Sequence, residues 1–140
     1  MAETYASEIS GQSTTPTTMA NGAVVGGRVR RFRATVTLAS QASGDTIVLA
    51  KIPAGYAFAY GVINASATLG TATVAVGISG TAGKYRAAAV FTAAAPTMFG
   101  VVGAVDDAPL TAEETVIATV GTAALPSSGT LVVDLYCSAP

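Results

Sequence analysis

The sequence predicts an all-β protein: a single β-sandwich (jelly-roll-like) or a barrel, preceded by an extended N-terminal arm. Three observations lead there. Short stretches of alternating or continuous apolar residues recur along the chain, clusters of Gly, Pro, Ser, Thr and Asp separate them, and no stretch carries a convincing helical period. With 140 residues there is chain for one domain and a tail. About eight strand-like segments favour the jelly roll among the two-sheet architectures.

Residues 1–27, MAETYASEISGQSTTPTTMANGAVVGG, hold no sustained period and are rich in Ser, Thr and Gly. They read either as a disordered terminus or as an arm that orders by lying on a neighbouring subunit, with Tyr5, Ile9 and Met19 as its only anchors. Gly26 and Gly27 make a hinge between this arm and a domain spanning residues 28–140.

The domain opens on GRVRRFRATVTL, Gly27–Leu38. Phe32, Ala34, Val36 and Leu38 fall on one side of an extended chain, and Arg31, Arg33, Thr35 and Thr37 on the other. Four of the seven basic residues, Arg28, Arg30, Arg31 and Arg33, lie in this one stretch. After a turn at Ala39–Asp45, Thr46–Ile52 forms a short apolar strand that Pro53-Ala54-Gly55 ends. Tyr56–Asn64 follows, with Tyr56, Phe58 and Tyr60 on one side and Gly61 as the expected bulge. Such an aromatic stripe is either a sugar platform or, as strand spacing favours, core or subunit interface.

Ala72–Ser79 alternates cleanly, and Gly80–Gly83 is read as a tight connection. Lys84–Phe91 is Ala-rich enough for a helix by propensity, but its length and its Gly and Pro punctuation assign it to a strand. Thr97–Val105 is extended, Asp106–Thr111 is a polar corner, and Glu113–Gly121 and Thr130–Cys137 are the last two strands. Thr122–Gly129 between them reads as an open hairpin loop.

Composition points to a covered surface. The 51% hydrophobic fraction is dominated by Ala and Val, aromatics are 6%, and charged residues only 11%, against about a quarter in typical soluble domains. Small side chains bury little area each, at about 25 cal/mol per Å², so association with other subunits is the expected remedy. Gly, Thr and charged residues interrupt every apolar run short of the ~18 residues of a spanning helix, and no membrane partner is expected. The first ten residues lack a basic n-region and an apolar h-region, which predicts no secretory signal and synthesis in a cytosol.

Catalysis is not expected. The chain has no histidine, which removes the commonest general base, metal ligand and triad member. The lone Cys137 lies in an apolar strand with no evident activating partner, as an inert buried thiol would. Glu113 and Glu114 are adjacent in a strand and point to opposite faces, unlike a glycosidase pair. Asp106 and Asp107 could lend oxygens to calcium but lack EF-hand spacing, and a solvated turn is the simpler reading. Gly80–Lys84 resembles part of a phosphate loop without its spacing, hydroxyl or following helix. No cofactor and no metal are expected. The arginines could meet nucleic acid, but a net charge of -1 and the confinement of the cluster favour carboxylates on a protein partner.

Three stretches carry a resemblance: TVTLASQASGDTIVLAKIPAG at Thr35–Gly55, LGTATVAVGISGTAGKYRAAAVF at Leu69–Phe91, and LTAEETVIATVGTAALPSSGTLVVDLYC at Leu110–Cys137. From Ala34 to Cys137 the chain resembles the capsid decoration, cement or head-fibre proteins of tailed bacteriophages. The resemblance implies a small β domain on the outside of an icosahedral head, working as a homotrimer, binding the major capsid protein and bracing the joints between capsomers. It supplies no active-site motif, so no residue role carries over. On this reading Tyr5, Ile9, Arg28, Arg30, Arg31 and Arg33 face the capsid. The competing expectation is a receptor-binding or adhesive fibre module, which requires an exposed aromatic platform.

Overall fold

A computed structural model describes Met19, Gly22 and residues 25–93, 95–100 and 108–140. Eight strands follow in chain order: β1 (Arg28–Thr37), β2 (Thr46–Ile52), β3 (Ala57–Ala65), β4 (Thr73–Ile78), β5 (Thr81–Val90), β6 (Thr97–Phe99), β7 (Glu114–Gly121) and β8 (Thr130–Ala139). No helix occurs among the described residues, and the Ala-rich stretch is a strand, β5. The first 24 residues apart from Met19 and Gly22 lie outside the description, as do residues 101–107 and with them most of the extended stretch expected at Thr97–Val105.

Every ladder is antiparallel. β1 pairs with β8, β2 with β7, β3 with β6 and β4 with β5; lateral pairings of β8 with β3 and β7 with β4 then close two sheets. Their orders are β1-β8-β3-β6 and β2-β7-β4-β5. The nested pairs make the chain one long hairpin, bent at the β4–β5 turn and wound into two layers. This connectivity is a jelly roll and decides for the sandwich over the barrel. It also changes the reading of Thr122–Gly129: β7 and β8 belong to different sheets, so that segment crosses between layers and is no hairpin loop. Its Leu125 is buried and its amide donates to Gln41 O, while Ser40 N donates to Pro126 O, so the two crossovers at this end are joined.

β1 alternates as its sequence requires, with Phe32, Ala34 and Val36 half-buried, Leu38 buried just beyond the strand, and Arg31, Arg33, Thr35 and Thr37 exposed. β8 lies between two strands, and its inward residues Leu131, Val133, Leu135 and Cys137 are completely buried. Composition suggested a core of small side chains. The largest fully buried residues are Leu38, Ile52, Ile63, Leu69, Leu131 and Leu135 with five valines and Cys137, and Phe58, Tyr85, Phe91 and Phe99 pack around them. Ala and Val supply ten of the 23 buried hydrophobics among the described residues, as composition suggested, while Ala87–Ala89 lie on the exposed edge strand β5.

In β3 the irregularity lies between Phe58 and Tyr60, not at Gly61. The extra residue shifts the phase, so Phe58 and Gly61 both end on the buried side while Tyr60 faces outward. The expected single aromatic side is thereby broken up. Gly61 answers a packing need: it sits opposite Phe99, and a Cβ on it would lie 2.2 Å from Phe99 Cζ.

The β4–β5 hairpin turns on two residues, Ser79 and Gly80, since Ile78 pairs with Thr81 and Gly80 has φ +85°. Thr81–Gly83, expected in the connection, therefore belong to β5. Its register against β4 shifts between Val74 and Val76 and again between Val76 and Ile78. The Arg86 guanidinium answers part of that irregularity, donating to Val74 O, Ala89 O (3.1 Å) and Val90 O (3.2 Å).

Candidate partner-binding surface

The structure divides the arginine cluster. Arg28 and Arg30 share the side of Phe32, where the edge strand overhangs the core, while Arg31 and Arg33 stand on the outer face of the sheet. A continuous basic stripe, the arrangement that tracks a phosphate backbone, is not formed by these four. Arg33 is the one with a carboxylate: its Nη1 lies 3.6 Å from Asp134 Oδ2 on the neighbouring strand. Arg28, Arg30 and Arg31 have no carboxylate within 4.0 Å among the described residues. Tyr5 and Ile9, the expected anchors of the arm, lie outside the described residues, as do Asp106 and Asp107.

Register assembles the rest of the outer face of β1-β8-β3-β6. Arg31 lies opposite Tyr136, which lies opposite Tyr60, and the two tyrosine rings stack at 4.6 Å with planes 16° apart. The next row runs Arg33, Asp134, Val62, Met98. Met98 is 68% and Val29 63% exposed. Sequence reading missed Asp134 and Tyr136, although an acid within the apolar run TLVVDLYC was visible. Asp134 is buried, and its Oδ1 has no hydrogen-bond partner among the described residues. A group in that state costs about 1–3 kcal/mol, so the ion pair with half-exposed Arg33 is not a large source of stability. It orients Arg33.

The outer face of β2-β7-β4-β5 is different in kind. Its rows are Thr46, Thr119, Ala75 and then Val48, Ile117, Gly77, with Lys51 opposite Thr115. These side chains are small or aliphatic, with one cation and no aromatic ring.

A second polar cluster lies on the inward side where β7 begins. Glu114 accepts from Lys84 Nζ at 2.7 and 2.5 Å and from the Tyr85 hydroxyl at 2.9 Å, and Tyr85 packs on Phe58 at 4.4 Å between centroids. Burial, followed by the hydrogen bond to Glu114 and its charge, raises the Tyr85 phenol well above its ordinary range. Burial, assisted by Glu114, pushes the Cys137 thiol up to about 12. Both shifts favour the neutral forms, the opposite of what an activated nucleophile needs. Lys84 is committed to Glu114, which accounts for the lysine of the apparent phosphate loop. Glu113 is exposed while Glu114 turns inward, so the adjacent carboxylates do diverge. No group of three or more His, Cys, Asp or Glu side chains fit for a metal gathers among the described residues.

Fold and surface together define a jelly-roll domain whose polar groups are arranged for packing and contact. No protein-family model matches the sequence, and no curated protein does. Solved structures do match. The chain is similar to a chain in the capsid of Ralstonia phage GP4, with a TM-score of 0.66 and 22% identity over 81% of this chain and 86% of the other. It is similar to a chain of the cyanophage Pam1 capsid asymmetric unit, with a TM-score of 0.61, 20% identity and coverages of 81% and 86%. A chain in the acid-stable capsid structure of Helicobacter pylori bacteriophage KHP30 matches with a TM-score of 0.60, 16% identity and coverages of 80% and 88%. What these likenesses share with the present chain is the fold.

Proposed function

We propose that this chain is a structural virion protein that decorates a bacteriophage capsid, binding the major capsid protein at the joints between capsomers and stabilising the shell. The observation that carries this reading is the match of four-fifths of the chain to chains of three phage capsid structures, at 86–88% of the length of those chains. The content of the surface supports it: arginines that meet no carboxylate among the described residues, a tyrosine pair and exposed Met98 are the residue types enriched where proteins bind one another. The low charge of the chain fits a surface covered by subunits. In this reading the protein works as a homotrimer on the outer surface of the virion, is made in the host cytoplasm, and uses residues 1–27 as an arm on the capsid.

The test is association of the purified protein with capsid shells assembled from the major capsid protein alone, followed by sedimentation and a count of copies per shell. Hundreds of bound copies and a raised melting temperature of the shell are expected. No association, or a dozen copies or fewer, refutes decoration and points to a tail, a vertex or another role. The fibre-module alternative predicts glycan binding by the isolated protein. It is not favoured here, because the outer-face tyrosines turn their rings toward each other.

A further inference from the structure

Accepting the decoration reading, we propose that the outer face of the β1-β8-β3-β6 sheet is the surface that docks on the shell. Its occupant is an apolar protein surface rimmed by carboxylates, and the outer face of β2-β7-β4-β5 is left to solvent. Both faces belong to four-stranded antiparallel sheets, and they differ in their edge strands and in the side chains they present. One offers Arg31, Arg33, Tyr60, Tyr136, Val62 and Met98; the other offers Thr46, Val48, Lys51, Thr115 and half-buried Ile117, its Ala75 and Gly77 being buried.

Charge identifies the partner. Within the chain Lys84 is held by Glu114, Arg86 by three backbone carbonyls and Arg33 by Asp134. Arg31 is exposed in line with the tyrosine stack and meets no carboxylate among the described residues. Planar guanidinium groups pair best with carboxylates, and such pairs steer and orient docking. A second copy of this same face is a poor occupant. It would bring Arg31 and Arg33 against their own kind, and its acid, Asp134, is buried and already turned to Arg33. Three strands at about 4.8 Å by ten residues at about 3.3 Å give about 470 Å², short of the ~600 Å² each partner gives to the smallest standard interfaces, so contacts from elsewhere in the chain add to this face.

The experiment compares two charge reversals of equal size on opposite faces, Arg31→Glu and Lys51→Glu, both at exposed positions. Met98→Ser is a third variant that threatens folding little, because Met98 is largely exposed. Binding of the full-length proteins to shells of the major capsid protein is measured at two salt concentrations, with the mass of each free protein determined by sedimentation equilibrium. Arg31→Glu should weaken binding at least tenfold and flatten its salt dependence, Met98→Ser should weaken it severalfold, and Lys51→Glu should change it less than twofold. Wild-type protein that fails to bind overturns the decoration reading itself. Wild-type binding with equal losses from the two reversals, or a larger loss from Lys51→Glu, overturns the face assignment and leaves decoration standing. A lower mass of free Arg31→Glu or Met98→Ser assigns the face to a second copy and overturns the choice of occupant.

Discussion

Substituting Gly61 by Ala probes the contact that seats β6 on the sheet. The added methyl would be 2.2 Å from Phe99 Cζ and 2.5 and 2.7 Å from the two Cε atoms, against a Phe99 side chain that is itself in the core. Carbon contacts settle near 3.5–4.0 Å, so the ring must retreat by more than about 1 Å or β6 must lift. Overpacking of this kind costs about 1–3 kcal/mol. At about 2.1 cal/mol/K per residue for the entropy of unfolding, 140 residues shift by about 3.4 °C per kcal/mol. The expected fall in melting temperature is therefore about 3–10 °C. Phe99→Ala is destabilising by itself, by about 3 kcal/mol at this edge position. In that background, though, Gly61→Ala should be neutral or mildly stabilising, since Ala suits a strand better than Gly by about 0.5–1 kcal/mol. Urea titration of the four proteins of the cycle reads the coupling directly, with about 1–3 kcal/mol expected. An equal loss from Gly61→Ala with and without the Phe99 ring would show that the glycine is there for backbone reasons and that the packing argument is wrong.

Alkaline pH should destabilise the domain through Cys137. Its folded pKa is about 12 against an ordinary 9.0, so the folded state holds the proton longer, and stability that is complete below pH 9 falls as pH rises toward 12. The slope is at most about 1.4 kcal/mol per pH unit. Cys137→Ala should lose less stability between pH 8 and pH 10 in urea titrations, and parallel losses would sink the assignment. Arg86→Ala leaves up to three carbonyls without their donor and should cost about 1–3 kcal/mol. Hydrogen exchange should quicken in β4 and β5 first, and uniform quickening would count against it. Deleting residues 1–27 should abolish binding to shells of the major capsid protein while leaving the far-ultraviolet circular dichroism of a β domain, and undiminished binding would remove the arm from the proposal.

The proposed docking face and the polar cluster beside Glu114 serve different ends. Lys84, Tyr85 and Glu114 bond one another where the core meets the surface. Arg31 and Met98 are exposed on edge strands that pair with the two interior strands of the sheet, β8 and β3. A rigid β surface of this type limits the ordering cost of association.

Local pattern marked most of the strands, though not their full extent, as Thr81–Gly83 of β5 show. Alternation in Arg28–Leu38, the apolar run Thr46–Ile52 and the Gly and Pro boundaries mark β1, β2 and the turns, because a pleated chain with one buried face must repeat every two residues. Even the strand at Lys84–Phe91 could be read against its helix propensity. Tertiary structure decided which strands meet, and with that which side chains share a face. Arg31, Tyr136 and Tyr60 are separated by tens of residues and become neighbours only through the β1-β8-β3 order. Lys84 and Glu114 meet through packing that no local spacing encodes. The bulge before Tyr60 and the ring over Gly61 were illegible for the same reason: both answer to a neighbouring strand. The arginine stretch keeps its prominence in sequence, but its division between two faces is a property of the sheet's edge, because consecutive residues of a strand point opposite ways and only the layers define inside and outside.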